Sequence, residues 1–256
     1  MLKSFLTWKW ILATVLVIAA VAVMIRLGFW QLDRLAERKA TNAAVTSQIN
    51  APELNLNLVS SYDQLRDMEY RSVAVTGVYD FTQEVVLRSQ VYNGNLGYDV
   101  LTPLIIQGVS SMVLVNRGWI PYDSAQPDQR AQYDEPGVVT VKGRLRLPLS
   151  QSSIFGDPDP TLAAGQARLD AWNAINLDRL QKQVNAPLLP VYIQEAPDPA
   201  WTSLPYRNIT LPDLTDGPHL SYAIQWFSFS TVLAVGYPFL VRRRLKKGRT
   251  KDSLNP

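Results

Sequence analysis

Four side chains at the start of the second long apolar segment could bind a flat, iron-containing ligand. His219 opens that segment, and Tyr222, Ala223 and Trp226 follow three, four and seven positions later, so all four share one face of a helix. The face offers an imidazole to ligate haem iron and a small residue with two aromatics to sandwich the porphyrin. Alternatively, Tyr222 and Trp226 belong to an aromatic belt at the membrane surface, and His219 is a hydrated interfacial residue.

A second polar face follows the first apolar segment. Gln31, Arg34 and Arg38 fall at positions i, i+3 and i+7. A guanidinium fork suits a carboxylate, so Arg34 and Arg38 could meet anionic groups such as haem propionates near the membrane surface. The alternative is a solvated charged face whose cations pair with Glu37 or Asp33.

Two apolar segments are long enough to cross a bilayer. Residues 10–25 have Thr14 as their only polar member, and residues 220–241 carry no formal charge. About 20 helical residues span the hydrocarbon core of roughly 30 Å. We therefore predict transmembrane helices over residues 10–30 and 219–241. The first could instead be a cleaved signal peptide, but its small residues 20–22 lie inside the apolar stretch, so we expect it to be retained.

The charges are divided unevenly along the chain. Residues 242–256 hold seven basic side chains and one acid, whereas residues 30–218 hold 15 basic and 21 acidic ones. Because basic residues concentrate on the cytoplasmic side, residues 1–9 and the basic tail 242–256 should be cytoplasmic. In the absence of a Ser- and Arg-rich presequence, we predict a bacterial inner membrane with residues 31–218 in the periplasm. An acidic domain would repel nucleic acid, so the lipid bilayer is the expected partner of the basic residues.

The region between the spans has the pattern of an α+β domain. Helix-permissive residues continue from the first span to residue 49, and Asn50, Ala51 and Pro52 stop them. Alternating, β-rich stretches predict strands over residues 70–79, 84–91, 98–106, 111–120, 138–147 and 188–194, with a turn at Asn93 and Gly94. A helical spacing of apolar residues appears over 166–184. We expect an antiparallel sheet, as a barrel or a sandwich, with one or two helices.

The residues that common enzymes need are missing, so we do not expect an enzyme. The chain has no cysteine and a single histidine, and we find no nucleophile elbow, phosphate-cradling glycine loop or metal-spaced carboxylate cluster. Asp157 and Asp159 are paired carboxylates in a proline-rich loop, which favours a solvated turn over general acid–base catalysis.

Four blocks of sequence, in this order and spacing, resemble the Surfeit locus protein 1 family of cytochrome oxidase assembly factors. They are residues 27–34 (LGFWQLDR), 97–104 (GYDVLTPL), 115–121 (VNRGWIP) and 219–227 (HLSYAIQWF). The resemblance implies an assembly factor for haem–copper cytochrome c oxidase that helps to insert haem a into the catalytic subunit. The implied partners are that subunit and the haem a synthesis machinery, and the implied ligand site is His219 beside Tyr222 and Trp226.

Three questions stay open beside this resemblance: whether the chain binds a cofactor, what the second axial ligand would be, and what the block around Trp119 does. The chain could be a cofactor-free, membrane-anchored scaffold that docks oxidase subunits or other envelope proteins. If haem binds, one histidine supplies one axial ligand, and the other could be water, a second molecule or Met24. The block around Trp119 could form part of the core or a contact patch for the oxidase, and a large aromatic beside a tight glycine turn favours the core.

Overall fold

A computed structural model describes residues 8–59, 61–148, 161–162 and 168–252, with side chains described as far as residue 244. Asp157 and Asp159 lie outside the described residues, as do Lys3 and residues 253–256 of the basic tail. The chain forms two compact units. One combines Met1–Ala44 with Asp213–Pro256, and the other is Val45–Pro212.

Two long helices dominate the first unit. Helix α1 runs over Trp8–Ile49 and helix α4 over His219–Asp252, and the short helices α2 (Pro127–Arg130) and α3 (Leu177–Leu180) belong to the second unit. Both contain an apolar stretch that could cross a membrane, and only 6% of each stretch is buried within the protein. Such exposure of apolar side chains is unlike the core helix of a soluble protein. The predicted end of α1 at residues 50–52 is confirmed, and the second helix extends past its predicted end at residue 241.

The second unit is built on a closed barrel of five strands. The described residues form eight strands: β1 (Leu54–Asn55), β2 (Ser72–Tyr79), β3 (Val85–Tyr92), β4 (Asn95–Ile106), β5 (Met112–Pro121), β6 (Val138–Arg146), β7 (Ala171–Trp172) and β8 (Leu188–Glu195). Hydrogen-bonded neighbours follow the order β2, β6, β8, β5, β4, and β4 pairs again with β2 to close the barrel. Strands β1, β3 and β7 extend the sheet outside this closed ring. Of the two predicted architectures, the barrel is therefore correct.

Most strand pairs are antiparallel, as the sequence pattern predicts. The turn at Asn93 and Gly94 joins β3 to β4 with positive φ at both residues, 49° and 80°, as a tight hairpin requires. The prediction of an antiparallel sheet is wrong for three pairs, since β1 with β2, β3 with β7, and β5 with β8 pair in parallel. Of these, only β5 and β8 both belong to the closed ring. A long connection separates these two strands along the chain, and parallel neighbours need such a crossover.

The helix predicted over 166–184 is largely replaced by other structure. Within the described residues of this stretch, β7 pairs with β3, and α3 covers only Leu177–Leu180, capped by the Asn176 side chain. The apolar residues are nevertheless buried, because Trp172 and Leu180 pack in one cluster against Leu114 of β5. The spacing therefore predicted burial correctly and the secondary structure incorrectly, since strand pairing at the sheet edge satisfied the backbone instead.

The inside of the barrel is apolar over most of its length. Alternate residues of β2 and β8 point inward, including Val73, Val75, Val191 and Ile193. Trp119 of β5 is only 7% exposed and donates its indole N–H to the Gln90 carbonyl. Its ring stacks on Tyr206, which confirms the core interpretation of this block.

Buried ion pairs connect the barrel strands to the loops around them. Glu84 accepts hydrogen bonds from the Thr102 hydroxyl at 2.6 Å and from Arg117 at 3.1 Å, and it also pairs with Arg130 at 3.1 Å. Arg117 is 1% exposed. Burial raises the pKa of Glu84, although both arginines and the threonine oppose that shift.

The same network continues to the last residue of β8. Arg117 reaches Glu135 at 3.0 Å, and Arg207 pairs with Glu135 at 3.2 Å and with Glu195 at 3.1 Å. Burial raises the pKa of Glu195 to about 7, while the neighbouring Arg207 lowers it. A carboxyl with such a pKa makes the stability of this unit sensitive to pH.

Candidate functional site

The predicted iron ligand has one defined partner within the helical unit. His219 is the first residue of α4, and its Nδ1 lies 2.8 Å from Oε1 of Gln31 on α1. With the Gln31 amide oriented so that Oε1 faces the ring, a neutral imidazole carries its proton on Nδ1 and donates it to that oxygen. The other ring nitrogen, Nε2, then holds a lone pair. This is the state in which a histidine ligates a metal, with its second nitrogen hydrogen-bonded to an acceptor.

Gly217 lies beside the Nε2 side of the His219 ring. A Cβ placed on Gly217 would lie 3.7 Å from Nε2 and 3.5 Å from Cδ2 of His219, which is ordinary van der Waals contact. The φ of +69° is the feature that favours glycine at this position.

The remaining residues of the predicted face differ in their environments. Ala223 is 1% exposed, so it is packed inside the protein and is not open to a flat ligand. This corrects the role predicted for it. Tyr222 is 46% exposed, and Trp226 is half-buried with its ring edge-to-face against Phe229 at 6.4 Å. Tyr222 thus remains accessible on this face, and His219 and Trp226 are partly so.

The two helices are held in close contact one turn before Gln31. Gly28 is buried, and a Cβ placed on it would lie 2.6 Å from Cε1 of Phe227. The rings of Phe29 and Phe227 meet edge-to-face at 5.4 Å. Glycine therefore allows the approach that brings Gln31 within reach of His219, a role that the sequence pattern did not reveal.

Arg34 and Arg38 have different surroundings in the structure. Arg34 forms an exposed ion pair with Glu37 at 2.6 Å and lies over the Trp30 ring at 5.8 Å. For Arg34, this pair agrees with the alternative prediction of a solvated charged face whose cations pair with Glu37 or Asp33. Arg38 instead donates to the carbonyl oxygens of Asp213 at 2.9 Å and Thr215 at 3.2 Å.

Arg38 is one of three side chains of α1 that bind the loop leading into α4. Asn42 donates to the carbonyl oxygens of Leu214 and Thr215 at 2.8 and 3.2 Å, and Lys39 lies 3.8 Å from the Asp216 carboxylate. We call Arg38, Lys39 and Asn42 the loop clasp. Lys39 and Asn42 could not be predicted from the sequence, because their partners lie more than 170 positions away in the chain and leave no local pattern.

The loop itself has a local hydrogen-bonded turn. The Asp213 carboxylate accepts from the Thr215 backbone N–H and hydroxyl, both at 2.9 Å, and these bonds lower the pKa of Asp213. An aspartate two residues before a threonine was the available signal for this turn. Turn and clasp together fix the chain just before His219.

Among the described residues, no group of three or more His, Cys, Asp or Glu side chains could hold a metal ion.

Comparison with known proteins gives a family match over most of the chain. The model of the SURF1 family matches residues 18–231. A SURF1-like protein of Monosiga brevicollis is 29% identical over 85% of this chain and 83% of its own length. Surfeit locus protein 1 of Arabidopsis thaliana is 23% identical over 88% of this chain and 75% of its own.

A yeast protein matches a shorter region. The protein named cytochrome oxidase assembly protein SHY1, from Saccharomyces cerevisiae, is 33% identical over 104 residues. That region is 41% of this chain and 27% of the yeast protein.

Proposed function

The chain belongs to the SURF1 family, and on that basis we propose that it is a membrane-bound assembly factor for cytochrome c oxidase. The name of the yeast relative supports this role. We propose further that its partners are the catalytic subunit of the oxidase and the machinery that makes haem a. In this role the chain binds and presents its cargo and does not catalyse a reaction.

The proposed location is a bacterial inner membrane, crossed twice. The apolar stretches of α1 and α4 have mean hydropathies of 2.5 and 1.4 and are almost unburied, which suits contact with lipid. Arg242, Arg243 and Arg244 follow the second stretch directly. Their charge favours a cytoplasmic tail, which leaves the β-rich unit in the periplasm.

We propose that His219 is the ligand through which the chain holds haem a as cargo. The observation that carries this proposal is the hydrogen bond from Nδ1 to Gln31, which leaves the Nε2 lone pair available. Haem a is a redox group of the oxidase, and this chain needs only to bind it, orient it and release it.

The roles of the neighbouring residues follow from their exposure. Tyr222 and Trp226 could contact the faces or edge of the porphyrin, with Tyr222 the more accessible. Arg34 could exchange its exposed pair with Glu37 for a haem propionate, because such surface pairs contribute only about 0–1 kcal/mol. Arg38 is already bound to two carbonyl oxygens, so we assign it the positioning of the loop before His219.

The test is to purify the full chain from cells that make haem a and to record its visible absorption spectrum. We expect a bound-haem signal that His219→Ala removes. Gln225→Ala is the matched control, because Gln225 is an exposed polar residue of the same helix but lies on another face. It should keep the signal.

Oxidase activity measured in the same strains distinguishes the proposed assembly role from the proposed haem binding by His219. If deletion of the chain leaves oxidase activity and haem content of the membranes normal, with no second copy of the gene present, the assembly role is refuted. If deletion abolishes activity but His219→Ala restores it fully, the chain acts as a cofactor-free scaffold and the haem proposal fails.

A further inference from the structure

A groove between α1 and α4 lies at the end of the helix pair opposite His219. Its volume is about 660 Å³, within the range of roughly 300–1,000 Å³ that small-molecule sites occupy. Branched aliphatic and aromatic side chains form most of its walls, among them Val17, Ile18, Tyr237 and Val241. A site of this size and composition suits a hydrocarbon chain.

The polar side chains in the groove wall bond to each other. The Thr14 hydroxyl donates to the Trp10 carbonyl oxygen at 2.8 Å, so the Tyr237 hydroxyl, 2.6 Å from Thr14 Oγ1, must be the donor in that second bond. Both hydroxyl protons are therefore engaged, so this pair offers a ligand no free hydroxyl proton. An alkyl chain needs none, and its burial is favourable in proportion to its apolar area.

Basic residues adjoin the groove lining where α1 begins and the apolar stretch of α4 ends. Trp10 and Val241 line the groove, and Lys9 and Arg242 are their immediate neighbours in the chain. The Cα atoms of Lys9 and Arg242 therefore lie about 1.5 Å further along the helix axes than those of Trp10 and Val241. Lys9 and Arg242 are exposed, and Arg243 and Arg244 add further positive charge.

We propose that this groove binds one anionic phospholipid, with an acyl chain between the helices and the phosphate near Lys9 and Arg242. Basic pockets between membrane helices on the cytoplasmic side bind anionic headgroups. A partner helix is the less suitable occupant, because helices pack in membranes through small residues, and branched or aromatic side chains dominate this wall. The proposal goes beyond oxidase assembly and requires only that both helices lie in a bilayer.

The experiment uses the full chain in vesicles that contain equal amounts of phosphatidylglycerol and phosphatidylcholine. The protein is extracted with mild detergent, and the retained lipids are identified by native mass spectrometry. We expect about one retained lipid per chain, taken preferentially from the phosphatidylglycerol. Equal retention of the two lipids, or none, overturns the proposal.

Matched variants place the lipid in the groove. Ala234→Phe fills the groove and should abolish retention, whereas Val235→Phe, at a neighbouring position that is 67% exposed and does not line the groove, should preserve it. Val17→Phe fills the groove from α1 and repeats the test if Ala234→Phe disturbs the helix pair. Retention unchanged in both filling variants refutes the site.

The charge is tested separately. Arg242→Gln should lower the preference for phosphatidylglycerol about five-fold, as expected for one basic contact near a membrane surface. Arg26→Gln removes a charge from α1 about 25 Å of helical rise from Lys9 and should leave the preference unchanged. Equal effects of the two variants overturn the headgroup assignment, and so does cross-linking that shows a protein helix in the groove.

Discussion

Replacing Gln31 by leucine should remove the hydrogen bond that orients the His219 imidazole. The structure gives His219 Nδ1 a 2.8 Å hydrogen bond to Gln31, and leucine has similar bulk but no acceptor. Loss of the acceptor behind a metal-ligating histidine typically lowers metal affinity about 10–100-fold. At about 1.4 kcal/mol per factor of ten, the expected loss is about 1.4–2.8 kcal/mol of haem-binding free energy.

The tautomer can be measured without haem, because the chain has one histidine. Protein labelled with ¹⁵N-histidine gives signals from one imidazole, so the protonated nitrogen can be assigned directly by NMR. We expect Nδ1–H in the unmodified chain and a mixture of tautomers in Gln31→Leu. Haem titration of the same samples, followed by absorption, then gives the loss of affinity.

Two results would refute this reasoning. A proton on Nε2 in the unmodified chain would show that the Gln31 amide does not set the tautomer. Equal haem affinity of the unmodified chain and Gln31→Leu would show that the hydrogen bond does not support ligation.

Three further predictions concern stability, measured as unfolding of the full chain in detergent. Gly28→Ala places a Cβ 2.6 Å from the Phe227 ring and should lower the free energy of unfolding by about 1–3 kcal/mol. A second change, Phe227→Leu, should restore most of this loss, whereas purely additive effects of the two changes would contradict the contact. Arg117→Met should destabilise the barrel unit by about 3–5 kcal/mol, because Glu84 loses a buried ion-pair partner. Adding Glu84→Gln should recover part of this stability, and no recovery would argue against the pair. The pKa of Glu195 is raised by burial to about 7 from an ordinary value near 4.5, so its stabilising effect is full below about pH 4.5 and is lost as the pH rises through about 7. Glu195→Gln should flatten this decline, and an unchanged pH profile would rule out Glu195 as its source.

Much of the barrel could be predicted from local sequence. Alternation in β2 correctly separated inward residues such as Val73 and Val75 from their neighbours, and Asn93–Gly94 marked its hairpin. Barrel closure could not be predicted in this way, because the pairing of β2 with β4 and the parallel entry of β8 depend on long-range contacts. The stretch around Trp172 shows the same limit, since its spacing fitted a helix while its backbone paired with a strand.

Only part of the candidate site could be predicted from the sequence around it, because the rest depends on a contact between distant residues. His219 could be identified as a candidate from its own segment, because it is a lone imidazole at the start of an apolar helix. Its partner could not, since Gln31 lies 188 positions earlier in the chain. The spacing of Gln31, Arg34 and Arg38 predicts that they share one face of α1, but helical spacing does not predict contacts with another helix.

The chemistry of Gln31 suits a cargo site better than a permanent one. A carboxylate behind a ligating histidine raises the basicity of the imidazole, and a neutral amide orients the ring without adding that charge. The loop clasp, through Arg38 and Asn42, fixes the chain before His219, so orientation does not require a strong iron bond. Gln31→Glu should therefore hold haem more tightly than the unmodified chain and deliver less of it, giving more bound haem and lower oxidase activity in the same membranes. Higher oxidase activity together with tighter binding would contradict a cargo role for His219.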